Sequence, residues 1–161
     1  MKVRIVDQYP ISLSTFVIKG QIIDNKLHSI VFDKDGFVCV KAKPNILIAR
    51  SLKKINSSFA HARDVAKSIL GDNMKKLPIV VSNHFGQPIV LFPLFSPNSK
   101  DNIWVVYNSV TNIVNQKTHL DITFKHQYEI DIPVSNQVFN NQYVRASRLF
   151  QSIYPHWRTL D

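Results

Sequence analysis

The sequence predicts an α+β fold, with antiparallel β-hairpins packed against a basic helical segment and a C-terminal helix. Three observations lead there. Period-two or wholly apolar β-prone runs fill the first forty residues and return over residues 120–132. Apolar residues recur at three- and four-residue steps over residues 48–70 and again over 138–153. Turn-forming clusters separate these stretches, and neither a linker-like run nor an internal repeat interrupts them. Residues 1–161 are therefore expected to form one domain, and 45% hydrophobic residues with ten Phe can fill its core.

Taken in order, residues 15–23 are rich in Phe, Val and Ile and read as a strand. Residues 27–32 and 37–40 flank Asp33-Lys34-Asp35-Gly36, a hairpin signal. A calcium loop is excluded there because Phe37 and Val38 stand where later oxygen ligands would be needed. Cys39, the single cysteine, lies in this second strand and reads as a buried thiol without a disulfide partner. Pro44 opens a helix with the stripe Ile48, Leu52, Ile55 and Phe59. Asn56-Ser57-Ser58 interrupts it, and a second stripe follows at Phe59, Ala62, Val65, Ala66, Ile69 and Leu70, stopped by Gly71. Strands are expected at 77–81, 89–95 and 103–107, the first two separated by residues 82–88. The alternating runs 120–124 and 128–132 make a further hairpin around Lys125-His126-Gln127. Ser135 begins a last helix to Ile153, with Val138, Phe139, Gln142 or Tyr143, Ala146, Leu149, Phe150 and Ile153 as its stripe.

Charge is the first functional clue. Twenty Lys and Arg face eleven Asp and Glu, a net charge of +9. Within residues 41–76, nine cations (Lys41, Lys43, Arg50, Lys53, Lys54, Arg63, Lys67, Lys75 and Lys76) meet only Asp64 and Asp72, so +7 of the +9 lies there. An evenly spread charge would mean solubility and little else; a concentrated one predicts a face for a polyanion.

Enzymatic chemistry finds no foothold. His28, His61, His84, His119, His126 and His156 show no metal-type spacing on a predicted helix, and Cys39 has no companion. The four glycines form no phosphate loop, and no Gly-x-Ser-x-Gly elbow occurs. The expectation is no catalysis, no metal and no cofactor. The N-terminus lacks the pattern of a signal peptide and no run approaches a membrane span, which predicts a cytoplasmic protein.

Several stretches come in the order seen in the ComK family of competence transcription factors. Ala49-Arg50-Ser51-Leu52-Lys53-Lys54-Ile55-Asn56-Ser57-Ser58-Phe59-Ala60 resembles the family's Arg-Ser pair, further basic residue and Ser-Ser-aromatic-Ala run. Lys76-Leu77-Pro78-Ile79 and Leu91-Phe92-Pro93 are similar to its Lys-Pro-Pro-Ile and Leu-Phe-Pro signatures, and Trp104 sits where its Trp element falls. Ile132-Pro133-Val134-Ser135, with Phe139, Asn141-Gln142 and Arg145, is similar to the start of its last helix. The likeness runs from about residue 37 to residue 149. Two departures stand out. His61-Ala62-Arg63-Asp64 replaces a Gly-Arg-Lys run, shifting one charge and adding an acid, and the chain stops soon after the last helix, without the longer charged tail of larger members.

The resemblance implies a transcriptional activator of competence and DNA-uptake genes that binds paired AT-rich boxes on double-stranded DNA as a homo-oligomer, chiefly through the minor groove. RNA polymerase would be a second candidate partner, the nucleoid its place in the cell, and a membrane no partner at all. The candidate contacts are Lys41, Lys43, Arg50, Ser51, Lys53, Lys54, Ser57, Ser58, Arg63, Lys67, Lys75, Lys76 and Arg145. For Ser57 and Ser58, helix capping and phosphate contact both stand open. Two other classes are kept beside this reading. One is an RNA-binding module using Phe85, Phe92 or Tyr107 on a β-surface, and the other a regulator that acts by binding another protein.

Overall fold

Sheet pairing between segments far apart in sequence shapes the molecule. In the computed structural model, which describes residues 4–154, ten strands form two sheets and three α-helices cover them. The strands are β1 (Arg4–Val6), β2 (Thr15–Ile23), β3 (Lys26–Asp33), β4 (Gly36–Val40), β5 (Ile79–His84), β6 (Gln87–Pro93), β7 (Ile103–Val106), β8 (Val110–Asn115), β9 (Leu120–Phe124) and β10 (Tyr128–Ile132). The helices are α1 (Pro44–Lys54), α2 (Phe59–Leu70) and α3 (Asn136–Ile153). The α+β expectation holds.

The larger sheet has seven strands in the order β1-β4-β3-β2-β7-β6-β5, and the smaller runs β10-β9-β8. All pairs are antiparallel except β1 with β4. At the centre of the larger sheet both faces are buried, and the two-residue period sorts the side chains of β2, β6 and β7 between them. Ile18, Ile89, Leu91, Trp104 and Val106 point into one core with Leu47, Ile48 and Leu52 of α1. Val17, Val90, Phe92 and Val105 point into the other, which holds Leu120, Ile122 and Phe124 of β9 and Phe139, Ala146 and Leu149 of α3. Helix α2 straddles the two: Ala62 belongs to the first core, Ala66 and Leu70 to the second.

Local chemistry closes the elements as expected. Ser58 and Ser135 cap α2 and α3, accepting from the N–H groups of His61 and Val138. Asn56 sits at φ 55°, and bonds from Asn56 N–H to Lys53 O and from Ser57 N–H to Leu52 O end α1 in a Schellman motif. Ile55 is thus the C-cap of α1 and not a member of a stripe continuing to Phe59. Between β3 and β4, Asp33 Oδ1 accepts from the Asp35 N–H and shapes the turn. Cys39 is buried in β4.

Three expectations are corrected. The stretch 82–88 is not a seven-residue link, because β5 and β6 continue to His84 and Gln87 and leave Phe85-Gly86 as a two-residue turn with both φ positive. Its polar residues belong to an exposed hairpin end, where a strand needs no apolar face. Strands β1 and β8 carry too little alternation to be read from sequence, and each exists through pairing with a partner already formed. The proposed aromatic RNA platform is not formed as expected: Phe92 is fully buried against Phe139, and Tyr107 is half-buried with its hydroxyl donating to Ser147. Phe85 alone of the three is exposed, at 90% on the hairpin tip, with its ring edge-on to His84.

Candidate nucleic-acid interface

The α1–α2 hairpin buries Leu47, Ile48, Ser51 and Leu52 on one side of α1, which turns Ile46, Arg50, Lys53 and Lys54 outward. On α2 the inward set is Ala62, Ala66 and Leu70, leaving His61, Arg63, Asp64 and Ser68 exposed and Lys67 half-exposed. Arg63 lies over the Phe59 ring, 5.9 Å from its centroid, a cation–π contact that holds the guanidinium close to the start of α2. Asp64, the acid that departs from the family pattern, is exposed on the same helix.

Among the described residues, Arg4 is the one Lys or Arg in an ion pair, 3.7 Å from Asp33. The cations of residues 41–76 therefore have no carboxylate partner among the described residues, and an anion approaching them breaks no ion pair there. Beside α1 lies an open groove of about 600 Å³ lined by Gln8, Tyr9, Pro10, Arg50, Ser51, Lys53 and Lys54. Arg50 Nη1 donates to the Asp7 carbonyl at 3.0 Å, tying the groove's two walls together. Burial pushes the Tyr9 hydroxyl well above the usual phenol value, and that hydroxyl donates to Asp33 Oδ2 at 2.9 Å.

The predicted contacts do not all share one surface. Lys41 and Lys43 precede α1 and are exposed. Ser51 is 8% exposed and its hydroxyl donates to Val81 O at 3.2 Å. Freeing that hydroxyl would leave a buried group unpaired at about 1–3 kcal/mol, so it holds α1 to β5. Ser58 is engaged in its cap, whereas the Ser57 hydroxyl makes only a long 3.5 Å contact to Ser58 O. Lys75 is exposed, and Lys76 Nζ donates to Leu94 O at 3.3 Å. Arg145 lies on α3, across the larger sheet from α1, with Nη1 donating to Gln142 Oε1. The buried Gln142 in turn donates to Lys76 O and Pro93 O. The expectation of one charged face becomes a belt: α1 on one side of the sheet, α2 across its edge, and Lys76 with Arg145 on the other.

Sequence spacing also missed one cluster. The register of β9 and β10 sets Asp121 opposite Asp131, and His119 Nε2 comes within 3.2 Å of Asp121 and 3.9 Å of Asp131. Asp121 is held below the usual carboxylate range by its hydrogen bond with Asp131, and Asp131 is raised by the same bond. These three are the His/Asp/Glu group close enough to share a cation among the described residues. Their signal was the antiparallel pairing of 120–124 with 128–132, not a motif.

Fold and surface together define a class: an α+β domain whose larger sheet is covered on both faces at its centre and which carries a belt of cations, without carboxylate partners among the described residues, around a helical hairpin. Residues 6–155 match the family model described as ComK protein, and the chain belongs to that family. It is 26% identical over 145 residues to a protein of Bacillus subtilis (strain 168) described as a competence transcription factor, covering 89% of this chain and 74% of that one. No solved structure matches the chain significantly. No helix among the described residues is long and apolar enough to cross a membrane.

Proposed function

We propose that this chain is a cytoplasmic, nucleoid-associated activator of competence-gene transcription that binds double-stranded DNA through the α1–α2 hairpin. The observation that carries the reading is that Arg50, Lys53, Lys54, Arg63 and Lys67 on that hairpin have no carboxylate partner among the described residues. Such cations gain by releasing DNA counterions without first breaking an ion pair. The competence transcription factor of Bacillus subtilis supports the biological setting.

In this reading Arg50, Lys53, Lys54, Arg63 and Lys67 enter the minor groove of AT-rich boxes, where the narrow groove deepens the negative potential. Lys41, Lys43, Ser57, Lys75 and Lys76 meet flanking phosphates, while Ser51 and Ser58 set the pose of the helices. Arg145 faces another copy or a distant phosphate in the oligomer that spans paired boxes, and RNA polymerase meets the assembled complex. A·T and T·A present nearly the same acceptors in the minor groove, so specificity follows groove width and box spacing.

Mobility-shift titrations on AT-rich and GC-rich duplexes at two salt concentrations test the proposal. Tight, salt-sensitive binding to the AT-rich duplex is expected, competed by the minor-groove ligand netropsin. Single A-to-T swaps within a box should cost little and G·C insertions more. Indifference to netropsin, with binding abolished by one A-to-T swap, would replace this model with major-groove reading.

A further inference from the structure

The N-terminus of α1 opens into a cavity of about 170 Å³ whose lining includes Lys43, Asn45, Ser99, Lys100, Asn102 and Trp104, and no carboxylate. Helix α1 has eleven residues, so its dipole is developed, yet nothing neutralises this end. Lys43 at the N-cap brings no side-chain acceptor, and no acid stands in the first turn. A lysine at the positive end of a helix has the unfavourable sign, and Lys100 adds a second one.

A separate observation points to a ligand. Asn102 is 4% exposed, and its Oδ1 accepts from the Phe95 N–H at 3.0 Å, which fixes the amide's orientation. Its Nδ2 is then a buried donor without an acceptor among the described residues, on a residue that lines the cavity. An orphaned donor of this kind is rare in a folded interior. The neighbouring side chains are already committed, as a prepared site requires. Asn45 Nδ2 donates to Pro97 O at 2.9 Å and its Oδ1 accepts from Trp104 Nε1 at 3.4 Å, pinning loop 95–102 to α1. Gly20 lets the same loop approach β2, because a Cβ there would stand 2.9 Å from Lys100 O. An adjoining hollow shares Lys43 and Lys100 and adds Lys26, Lys41 and His28, whose Nδ1 is also buried without a partner.

We propose that this cavity is a phosphate-binding site, in which Asn102 Nδ2, Lys43, Lys100 and the Asn45 backbone N–H in the first turn of α1 hold one tetrahedral phosphoryl group. A backbone phosphate of DNA and a free phosphate or phosphorylated small molecule offer the same chemistry. The site itself does not depend on the DNA-binding reading.

The test uses the full chain. Inorganic phosphate, titrated at constant ionic strength, should saturably shift the NMR signals of the Asn102 side-chain amide and the Trp104 indole N–H. In Lys43→Gln/Lys100→Gln, two exposed positions whose change should leave folding intact, the shift should fall at least tenfold in apparent affinity. Asn102→Asp keeps the acceptor for Phe95 N–H and places a negative charge in the cavity, so it should abolish binding. Signals that do not move in the parent chain, or that move equally in the lysine double variant, would overturn the proposal.

A second arm separates the sources. If the phosphate is DNA's, the lysine double variant lowers the log–log salt slope of duplex binding by about 0.9 for each phosphate it no longer neutralises. If the slope is unchanged while inorganic phosphate still binds the parent chain, the site takes a free phosphate. A parent chain that binds phosphate but no DNA would fail the proposed function and leave this site standing.

Discussion

Helices α1 and α3 lie against opposite faces of the same sheet and are anchored alike, by Leu47, Ile48 and Leu52 in one case and Phe139, Ala146 and Leu149 in the other. Their outward faces differ. Helix α1 shows Arg50, Lys53 and Lys54 to solvent, whereas α3 shows Gln137, Asn140, Asn141, Val144, Gln151 and Ser152, with Arg148 as its exposed cation. Amphipathic periodicity thus builds both helices and says nothing about which one works. The residues that packing leaves outside carry that information, and on α1 they are cations without a carboxylate partner among the described residues.

The largest effects should come from removing either anchor. Phe139→Ala should cost about 3–5 kcal/mol and Leu52→Ala about 2–5 kcal/mol in chemical denaturation. A loss below about 1 kcal/mol at Leu52 would mean that α1 is loosely held, and the likeness between the two faces would break.

Next comes the difference in charge. Lys53→Ala/Lys54→Ala should weaken duplex binding at every sequence and flatten the salt slope by about 0.9 per phosphate left unneutralised, with folding intact. Arg148→Ala on α3 serves as the opposite case and should move neither quantity. An equal change from both would place the interface on the whole surface instead of the hairpin.

The two serines between the helices sharpen the picture within the hairpin. Ser58→Ala should destabilise by about 1 kcal/mol through loss of the α2 cap. Ser57→Ala should change stability by less than about 0.5 kcal/mol, as exposed substitutions usually do. Weaker DNA binding by Ser57→Ala at unchanged stability would identify a contact; unchanged binding would leave Ser57 as a linker residue.

The smallest effect belongs to the carboxylate pair of the smaller sheet. Asp131 is raised when folded, so its contribution is present at low pH and lost as pH rises through its folded value. Asp121 is lowered, so its contribution is present at neutral pH and lost as pH falls through its folded value. Asp131→Asn should therefore raise the Tm slightly at pH 7 by removing one of two facing carboxylates, a difference that fades in acid. A pH-independent Tm difference would mean that the cross-strand pair is not coupled.

Much of this was legible in the chain because it is local. Ser58, Gly71 and Ser135 close helices where capping chemistry says they should, and residues 120–124 and 128–132 alternate as the β9–β10 hairpin requires. The concentration of charge in residues 41–76 was also visible from composition alone. What sequence could not supply is the pairing of distant segments. Strand β2 joins β7, some eighty residues on, and that pairing fixes which face of the sheet each helix covers. It sends Arg145 to the face opposite α1, seats the Ser51 hydroxyl on Val81, and brings Lys100 and Asn102 to the end of α1 beside Lys43. Periodicity and capping act over a few residues, whereas register and layer are set by burial shared across the whole sheet, so the elements were written in the sequence and their meeting points were decided by packing.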